Sequence, residues 1–252
     1  MAFDLKGIVM LKEFIDIKDG DVVSIVGSGG KTSFLYMLSK ELRYMKVLVS
    51  TTTKMFTPSY DAFDFLEFNL DLASELIKQD VIGTYFIGEL CNQGKKVKSL
   101  PLNFLNKISQ EFNVVILEGD GAKRKLVKAW EEFEPVIIGK TTKTVGIINI
   151  SILGKEINEE NVHRIDKYLE LTKGVNGHTI TIDHYFRVIT DVKGLFGKAK
   201  GEKILFINGV DNDELDKEAL KLIEMLKNEE FSIDKIIYGS LKNGMVKCKT
   251  LF

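Results

Sequence analysis

The sequence predicts an α/β fold of three layers, with a mainly parallel sheet between helices and a hairpin elaboration at the sheet edge. Three observations carry this. Six short apolar runs recur along the chain. Amphipathic stretches long enough for crossover helices separate several of them. No Pro/Ser-rich linker, tandem repeat or low-complexity tract divides the 252 residues, and Pro58, Pro101 and Pro135 are the only prolines. Residues 1–252 therefore read as one domain.

The six runs are DVVSIVG (21–27), KVLVSTT (46–52), NVVILEGD (113–120), KTVGIINI (143–150), KILFING (203–209) and DKIIYGS (234–240). They are rich in β-branched residues and lack clean alternation, the pattern of strands buried on both faces. KTSFLYMLSKELRYM (31–45), LNFLNKISQEF (102–112) and DELDKEALKLIEMLKNEE (213–230) carry helical spacing. GTYFIGELCNQGKKVKSL (83–100) holds two apolar runs around Asn92-Gln93-Gly94 and reads as a hairpin at the sheet edge. NEENVHRIDKYLELT (158–172) reads as a helix. In ITIDHYFRVITDVKG (180–194) the β-branched residues suit a strand and the spacing suits a helix; helix is the expectation.

Composition narrows the function classes. The chain is 44% hydrophobic and 28% charged, with a formal net charge of -1. No global basic field argues for nucleic acid, so any anion site must be local. Cys91 and Cys248 form no CxxC or Cys/His pattern, which disfavours a disulfide framework or a zinc site. A cytoplasmic location is the simplest expectation. The leading MAFDLKGIVMLKEF carries Asp4, Lys6, Lys12 and Glu13, so it reads as neither signal peptide nor anchor. No run reaches the length of a membrane span.

Chemistry concentrates at Gly27-Ser28-Gly29-Gly30-Lys31-Thr32-Ser33. A strand precedes this loop and a helix starts in it, the context a phosphate loop requires. Glycines allow positive φ and close approach of amides to an anion. Those amides converge at a helix N-terminus, which itself favours negative charge. Lys31 is placed to reach a polyphosphate, and the Thr32 hydroxyl to ligate Mg²⁺. The spacing is G-x-x-G-K-T rather than G-x-x-x-x-G-K-[ST], whose first glycine would fall at Ile25. Mur-type ligases use a similar short loop. The competing reading is a tight turn with glycines for packing. The whole then resembles a P-loop NTPase-like fold.

Three further segments stand at strand ends, where ligands bind in parallel sheets. Thr51, Thr52, Thr53 and Lys54 follow the second run and could contact Mg²⁺ or a γ-phosphate, or simply suit an exposed turn. Glu118 and Asp120 follow the third; paired acids facing a phosphate loop hold Mg²⁺ and orient a water, and one of the two is expected on the metal side. The competing reading is a Gly-Asp-Gly turn. Lys123-Arg124-Lys125, then Lys128, could neutralise phosphate charge, bind an anionic second substrate, or form a solvated turn. Asn208-Gly209-Val210-Asp211 matches the guanine-reading N-K-x-D spacing with Gly209 in the lysine position, so both base recognition and an ordinary Asn-Gly turn remain open. His163, His178 and His184 are not arranged as metal ligands, and His163-Arg164 is expected as a surface pair on a helix. Trp130 is expected in the core or an interface.

In order along the chain, VVSIVGSGGKTS, VSTTTKM, VVILEGDGAKRKLVKA, EPVI, VHR and INGVD resemble the YqeC-type selenium-dependent hydroxylase accessory proteins. The resemblance runs from about Val22 to IIYGS. Glu118-Gly119-Asp120-Gly121 replaces that family's E-A-D-G, and Gly209 replaces its usual lysine. It implies a cytoplasmic P-loop-like protein serving maturation of selenium-dependent molybdenum hydroxylases, with such a hydroxylase or its cofactor as partner, and neither nucleic acid nor membrane. Position by position it assigns the phosphate loop to Gly27–Thr32, the Thr-Lys segment to 51–54, the acidic strand end to Glu118 and Asp120, and the basic segment to Lys123 and Arg124.

The functional expectation is a protein that binds Mg²⁺ with ATP or GTP and hydrolyses or transfers phosphate. Lys31, Arg124, Asp120 and Glu118 are the catalytic candidates. Two alternatives stand beside it. One is a nucleotide-gated accessory module with negligible turnover, in which 51–54 acts as a switch. The other is a Mur-like ligase, for which no second ligase-type domain is visible.

Overall fold

A computed structural model describes residues 10–229, 231–242 and 245–249, the last stretch by backbone alone. Residues 1–9 of the leading segment and the Cys248 side chain lie outside the described residues. In chain order the elements are α1 (Leu11–Phe14), β1 (Asp21–Gly27), α2 (Lys31–Glu41), β2 (Lys46–Thr51), β3 (Lys54–Phe56), β4 (Phe65–Glu67) and α3 (Leu70–Lys78). Then come β5 (Gly83–Ile87), β6 (Glu89–Cys91), β7 (Lys96–Lys98), α4 (Leu102–Ile108), β8 (Val114–Glu118), β9 (Val127–Lys128) and β10 (Lys143–Asn149). The remainder is β11 (Val162–His163), α5 (Ile165–Thr172), α6 (Ile182–Thr190), β12 (Glu202–Asn208), α7 (Asp213–Lys227), β13 (Lys235–Ser240) and β14 (Met245–Lys249).

The apolar runs become the strands of one nine-stranded sheet, ordered β14-β13-β12-β10-β1-β8-β2-β5-β4. All neighbours are parallel except β13 and β14. β1, β2, β8 and β10 are buried along their whole length, which is why their sequences are apolar on both faces. Within β12, Ile204 and Phe206 point to one layer, and Leu205 and Ile207 to the other. The first layer is α1 and α2, whose Leu11, Phe34, Leu35 and Leu38 pack on Val23, Ile25 and Ile116. The second is α3 and α4 over the β2–β5–β8 end, with α5, α6 and α7 over β10, β12 and β13. Hence the three-layer, mainly parallel α/β fold that the sequence predicts.

Helix ends follow local chemistry. The Asn69 side chain accepts from Asp71 and Leu72 N–H and starts α3. Asn212 does the same for α7 through Leu215 N–H, with Asp213, Glu214 and Asp216 in the first turn. In 180–194 helical spacing prevails: a Thr181–His184 capping box opens α6, and Ile182, Tyr185, Val188 and Ile189 are buried on one side.

Two expectations need correction. In 83–100 the first apolar run is not half of a hairpin. Gly83–Ile87 is a parallel strand between β2 and β4. The hairpin is β6–β7, and with β3 it forms a separate three-stranded antiparallel sheet. In 158–172 the helix is shorter than predicted. Val162 and His163 pair with Val127 and Lys128, and Arg164 has a φ of 62°, which no helix interior accepts. His163-Arg164 is therefore not a helical surface pair; His163 is buried.

Chain order reverses at β1. β8 and β2 lie on one side of it and β10 and β12 on the other, so the loop after β1 sits at the topological switch point. Register brings the strand ends level: Thr51 pairs with Glu118, and Asn149 with Asn208. Among the described residues no helix is long and apolar enough to cross a membrane.

Candidate functional site

The strand ends open into a cleft of about 1490 Å³. Its lining includes Gly29 to Ser33, Thr53 and Lys54, Glu118, the 121–126 turn, and Asn208 to Asp211 without Val210. The segments predicted from sequence therefore meet in one place. Gly27, Ser28, Thr52 and Asp120 stand behind the wall and are buried.

The glycines serve packing and conformation together. Gly27, Gly29 and Gly30 have φ of 101°, 72° and 151°. A Cβ on Gly29 would lie 2.3 Å from Asn149 Cβ, and one on Gly30 2.5 Å from Asn208 Nδ2. Asn149 and Asn208 both donate through Nδ2 to the Gly29 carbonyl, at 2.8 and 2.7 Å. Asn208 Oδ1 accepts from Leu241 N–H at 3.1 Å, so both ends of its amide are engaged within the protein. The Ser28 hydroxyl donates to the Leu126 carbonyl at 2.9 Å. Loop shape is thus enforced from three sides.

That shape leaves a set of donors open. The N–H groups of Gly29, Gly30, Lys31, Thr32 and Ser33 have no acceptor among the described residues. A helix cannot satisfy its own first amides, and these five stand at the start of the 11-residue α2. Thr32 is exposed, and its hydroxyl donates to Glu118 Oε2 at 3.2 Å. Burial pushes the Glu118 carboxyl above its ordinary value, against the pull of Lys31.

Lys31 turns inward. Its Nζ donates to the Gly27 carbonyl at 2.6 Å and pairs with Asp120 Oδ1 at 3.3 Å. Burial opposes its charge, but Asp120 and Glu118 outweigh burial, and the amine stays protonated above its ordinary range. Asp120 is a hub. It accepts from Gly27 N–H through both oxygens at 3.1 Å, from Lys128 Nζ at 2.9 Å and from Trp130 Nε1 at 2.6 Å. Burial alone would raise its pKa; Lys128 and Lys31 together hold it below the usual carboxylate value. Lys128, fully buried, continues to Glu134 at 3.3 Å, and Glu134 pairs with Arg164.

The threonine segment divides its labour. The Thr51 hydroxyl donates to the Glu118 carbonyl at 3.0 Å and the Thr52 hydroxyl to the Val136 carbonyl at 2.6 Å. Thr53 Oγ1 is buried without a hydrogen-bond partner among the described residues. Buried polar atoms are rarely left so. Arg124 lies over the Phe56 ring, 4.2 Å from its centroid. Asp211 accepts from the Ser240 hydroxyl at 2.5 Å.

Sequence reasoning placed Trp130 in the core, where it lies, but missed Asn149, the burial of Lys128 and the pairing of Lys128 with Glu134. Asn149 had a readable signal: a lone polar residue near the end of an apolar strand, level with Asn208. Lys128 had a weaker one, in standing among the apolar Val127, Ala129 and Trp130.

A family model described as YqeC protein matches residues 23–166. The chain belongs to the YqeC family. The match contains the glycine loop, the threonine segment, both acids, the Asp120–Lys128–Glu134 network, Asn149 and Arg164; Asn208 and Asp211 lie beyond it. A protein of Escherichia coli (strain K12) described as "Uncharacterized protein YqeC" is 29% identical over 194 residues, covering 74% of this chain and 75% of the relative. No solved structure matches significantly.

Proposed function

We propose that this YqeC-family chain binds a Mg²⁺-nucleoside triphosphate in the cleft, with the polyphosphate on the Gly29–Ser33 amides. One observation carries the reading: five consecutive N–H groups without acceptors among the described residues, at a helix N-terminus, on residues that line a cleft large enough for the ligand. Amides so arranged are a nest for an oxyanion. On this reading Lys31 supplies a positive charge beneath the loop, and the Thr53 hydroxyl gains a partner in the ligand.

The donor set suits Mg²⁺. No group of three or more His, Cys, Asp or Glu side chains that could hold a metal occurs among the described residues. Mg²⁺ typically takes one or two protein ligands and completes its shell with phosphate and water. The adjacent Thr32 hydroxyl and Glu118 carboxylate would hold it, and the ion would neutralise phosphate charge. Of the two acids named from sequence, Glu118 lines the cleft, while Asp120 is fully buried with both oxygens engaged. We assign Glu118 to the metal and Asp120 to holding Gly27, Lys31 and Lys128 in place.

The same observation favours a nucleotide-gated module over a fast hydrolase. With Asp120 committed to Lys31, Lys128 and Trp130, Glu118 is left both to hold the ion and to align a water. Slow turnover, raised by a partner, is the expected behaviour. That the process served is maturation of selenium-dependent molybdenum hydroxylases, in the cytoplasm, rests on the family resemblance.

Thermal unfolding with ATP and GTP, each with and without Mg²⁺, tests the reading. At a hundred times Kd a ligand adds about 2.7 kcal/mol, a rise of roughly 5–10 °C for a chain this long. Failure of both nucleotides at millimolar concentration to shift the transition would sink it. Steady-state phosphate release then separates module from hydrolase.

A further inference from the structure

The cleft is more basic than the chain that builds it. The whole protein carries 35 Lys and Arg against 36 Asp and Glu. Nine cationic side chains but three carboxylates line the cleft. Six of the nine, namely Lys54, Lys96, Lys98, Lys123, Arg124 and Lys125, come from the β3–β7 sheet and the turn after β8.

Register shows how the sheet contributes. Lys54 opposes Lys98 and Phe56 opposes Lys96 across the antiparallel β3–β7 pair. Opposed residues share a face, so three lysines and one phenylalanine stand on one side. Met55 and Val97 point the other way, into the core beneath α2. Like charges directly opposed destabilise a sheet. Glu89 relieves Lys98 at 3.4 Å. The other five cations have no carboxylate within 4.0 Å among the described residues.

The turn faces that sheet. Lys123 and Arg124 adopt φ of 47° and 65°, the left-handed region, where glycine or asparagine is the ordinary choice. Both ends are pinned: the Gly121 carbonyl accepts from Lys128 Nζ at 2.7 Å and the Leu126 carbonyl from the Ser28 hydroxyl at 2.9 Å. Arg124 and Lys96 both reach the Phe56 ring, at 4.2 and 5.4 Å from its centroid. Unpaired cations are thus drawn together around one ring, beside the glycine loop, by strained and anchored backbone. Such strain persists where the surroundings enforce it and is characteristic of ligand clamps.

We propose that the β3–β7 face and the Lys123–Lys125 turn form a second anion site in the cleft, for a small molecule bearing phosphate or carboxylate groups. It deepens the nucleotide reading, since the second ligand would then lie next to the triphosphate. Cations gathered on the walls of one cleft, in a chain of net charge -1, suit a small oxyanion better than the long phosphate track of a nucleic acid.

The test is titration calorimetry on the full chain saturated with Mg²⁺ and a non-hydrolysable ATP analogue, with pyrophosphate and citrate as probes. One equivalent of at least one probe is expected to bind. Pyrophosphate binding assigns a phosphate ester and citrate binding a polycarboxylate. In Lys96→Ala/Lys98→Ala/Lys123→Ala the probe should weaken at least tenfold and the analogue less than threefold. The Gln triple variant serves if the Ala variant melts early. Probe affinity unchanged in the variant overturns the proposal. So does equal loss of analogue and probe, which would give these cations to the nucleotide. So does silence of both probes at millimolar concentration, or a single-stranded oligonucleotide binding a hundredfold tighter than either. Should the analogue itself not bind, the nucleotide reading fails separately. Pyrophosphate and citrate on the nucleotide-free chain then decide, with loss in the variant supporting the site and equal binding overturning it.

Discussion

Asn149 and Asn208 are register partners on adjacent parallel strands, and both donate to one acceptor, the Gly29 carbonyl. Two amides on one carbonyl oxygen use both of its lone pairs. They also back the loop from beneath, which is why Gly29 and Gly30 have no room for a side chain. Asn208→Ala should therefore cost about 1–2 kcal/mol, the value of a buried hydrogen bond plus the unsatisfied Leu241 N–H. Because Asn149 remains, the loop should hold, and Mg²⁺-ATP should weaken only a few-fold. The Asn149→Ala/Asn208→Ala double variant should lose more than the sum. A double-mutant cycle by chemical denaturation checks this; strict additivity would mean the two amides do not act on the same carbonyl.

Gly29→Ala and Gly121→Ala form a matched pair. At Gly29 the φ is 72° and the added Cβ would meet Asn149 Cβ at 2.3 Å, whereas at Gly121 nothing lies within 4 Å. Overpacking with a left-handed Ala should cost roughly 3 kcal/mol at Gly29. Gly121→Ala should stay within about 0.5 kcal/mol of the parent. Equal melting temperatures for the two would contradict the described loop.

Thr53→Val separates stability from binding. Removing a buried hydroxyl that has no partner among the described residues should leave the free protein unchanged or raise its stability by about 1 kcal/mol. On the proposed reading the same change should weaken Mg²⁺-nucleotide, because the ligand would supply the partner that the hydroxyl lacks. Calorimetric titration showing undiminished affinity would return Thr53 to a purely structural role.

Asp120→Asn should be the most damaging single change at the site. It leaves Lys31 and Lys128 buried without their shared counter-charge, at a cost of about 3–5 kcal/mol. Its pH dependence has a defined sign. The folded pKa is below the ordinary 3.8, so on acidification the unfolded chain takes the proton first. The contribution of Asp120 is full above 3.8 and is lost as pH falls below that value toward the folded one. Urea midpoints for parent and variant should differ most at neutral pH and converge in acid.

His163 governs a higher window. Burial, then Arg164 and Lys128, lower its pKa from 6.5 to about 4. Between those values the unfolded chain holds a proton that the folded chain does not. Stability from the neutral imidazole is complete above pH 6.5 and declines as pH falls toward 4. His163→Gln should flatten the stability slope between pH 6.5 and 4. An imidazole NMR titration with a midpoint near 6.5 would refute the assignment.

The sheet was legible because burial on both faces leaves an unmistakable mark: VVSIVG and VVIL have nowhere to go but a central parallel strand. The bend between β1 and α2 was legible because Gly27, Gly29 and Gly30 stand directly between strand and helix. What lay beyond reach was the partnership of residues distant in sequence. Nothing in LVKAW announces that Lys128 and Trp130 both serve Asp120. The two-residue strand at Val162–His163 exists only through pairing with Val127–Lys128, so a local pattern could only suggest a helix there. Gly83–Ile87 read as half of a hairpin because its partner in space, β2, pairs with it at a separation of 37 residues, whereas Asn92-Gln93-Gly94 is next door.

The inward turn of Lys31 ties the bend to the strand that leads into it. Its ammonium rests on the Gly27 carbonyl and on Asp120 Oδ1, and Asp120 in turn accepts the Gly27 N–H. One buried ion pair therefore grips both polar groups of a single glycine, the last residue of β1. The bend is braced from within, so its curvature belongs to the chain itself and does not wait on a visitor.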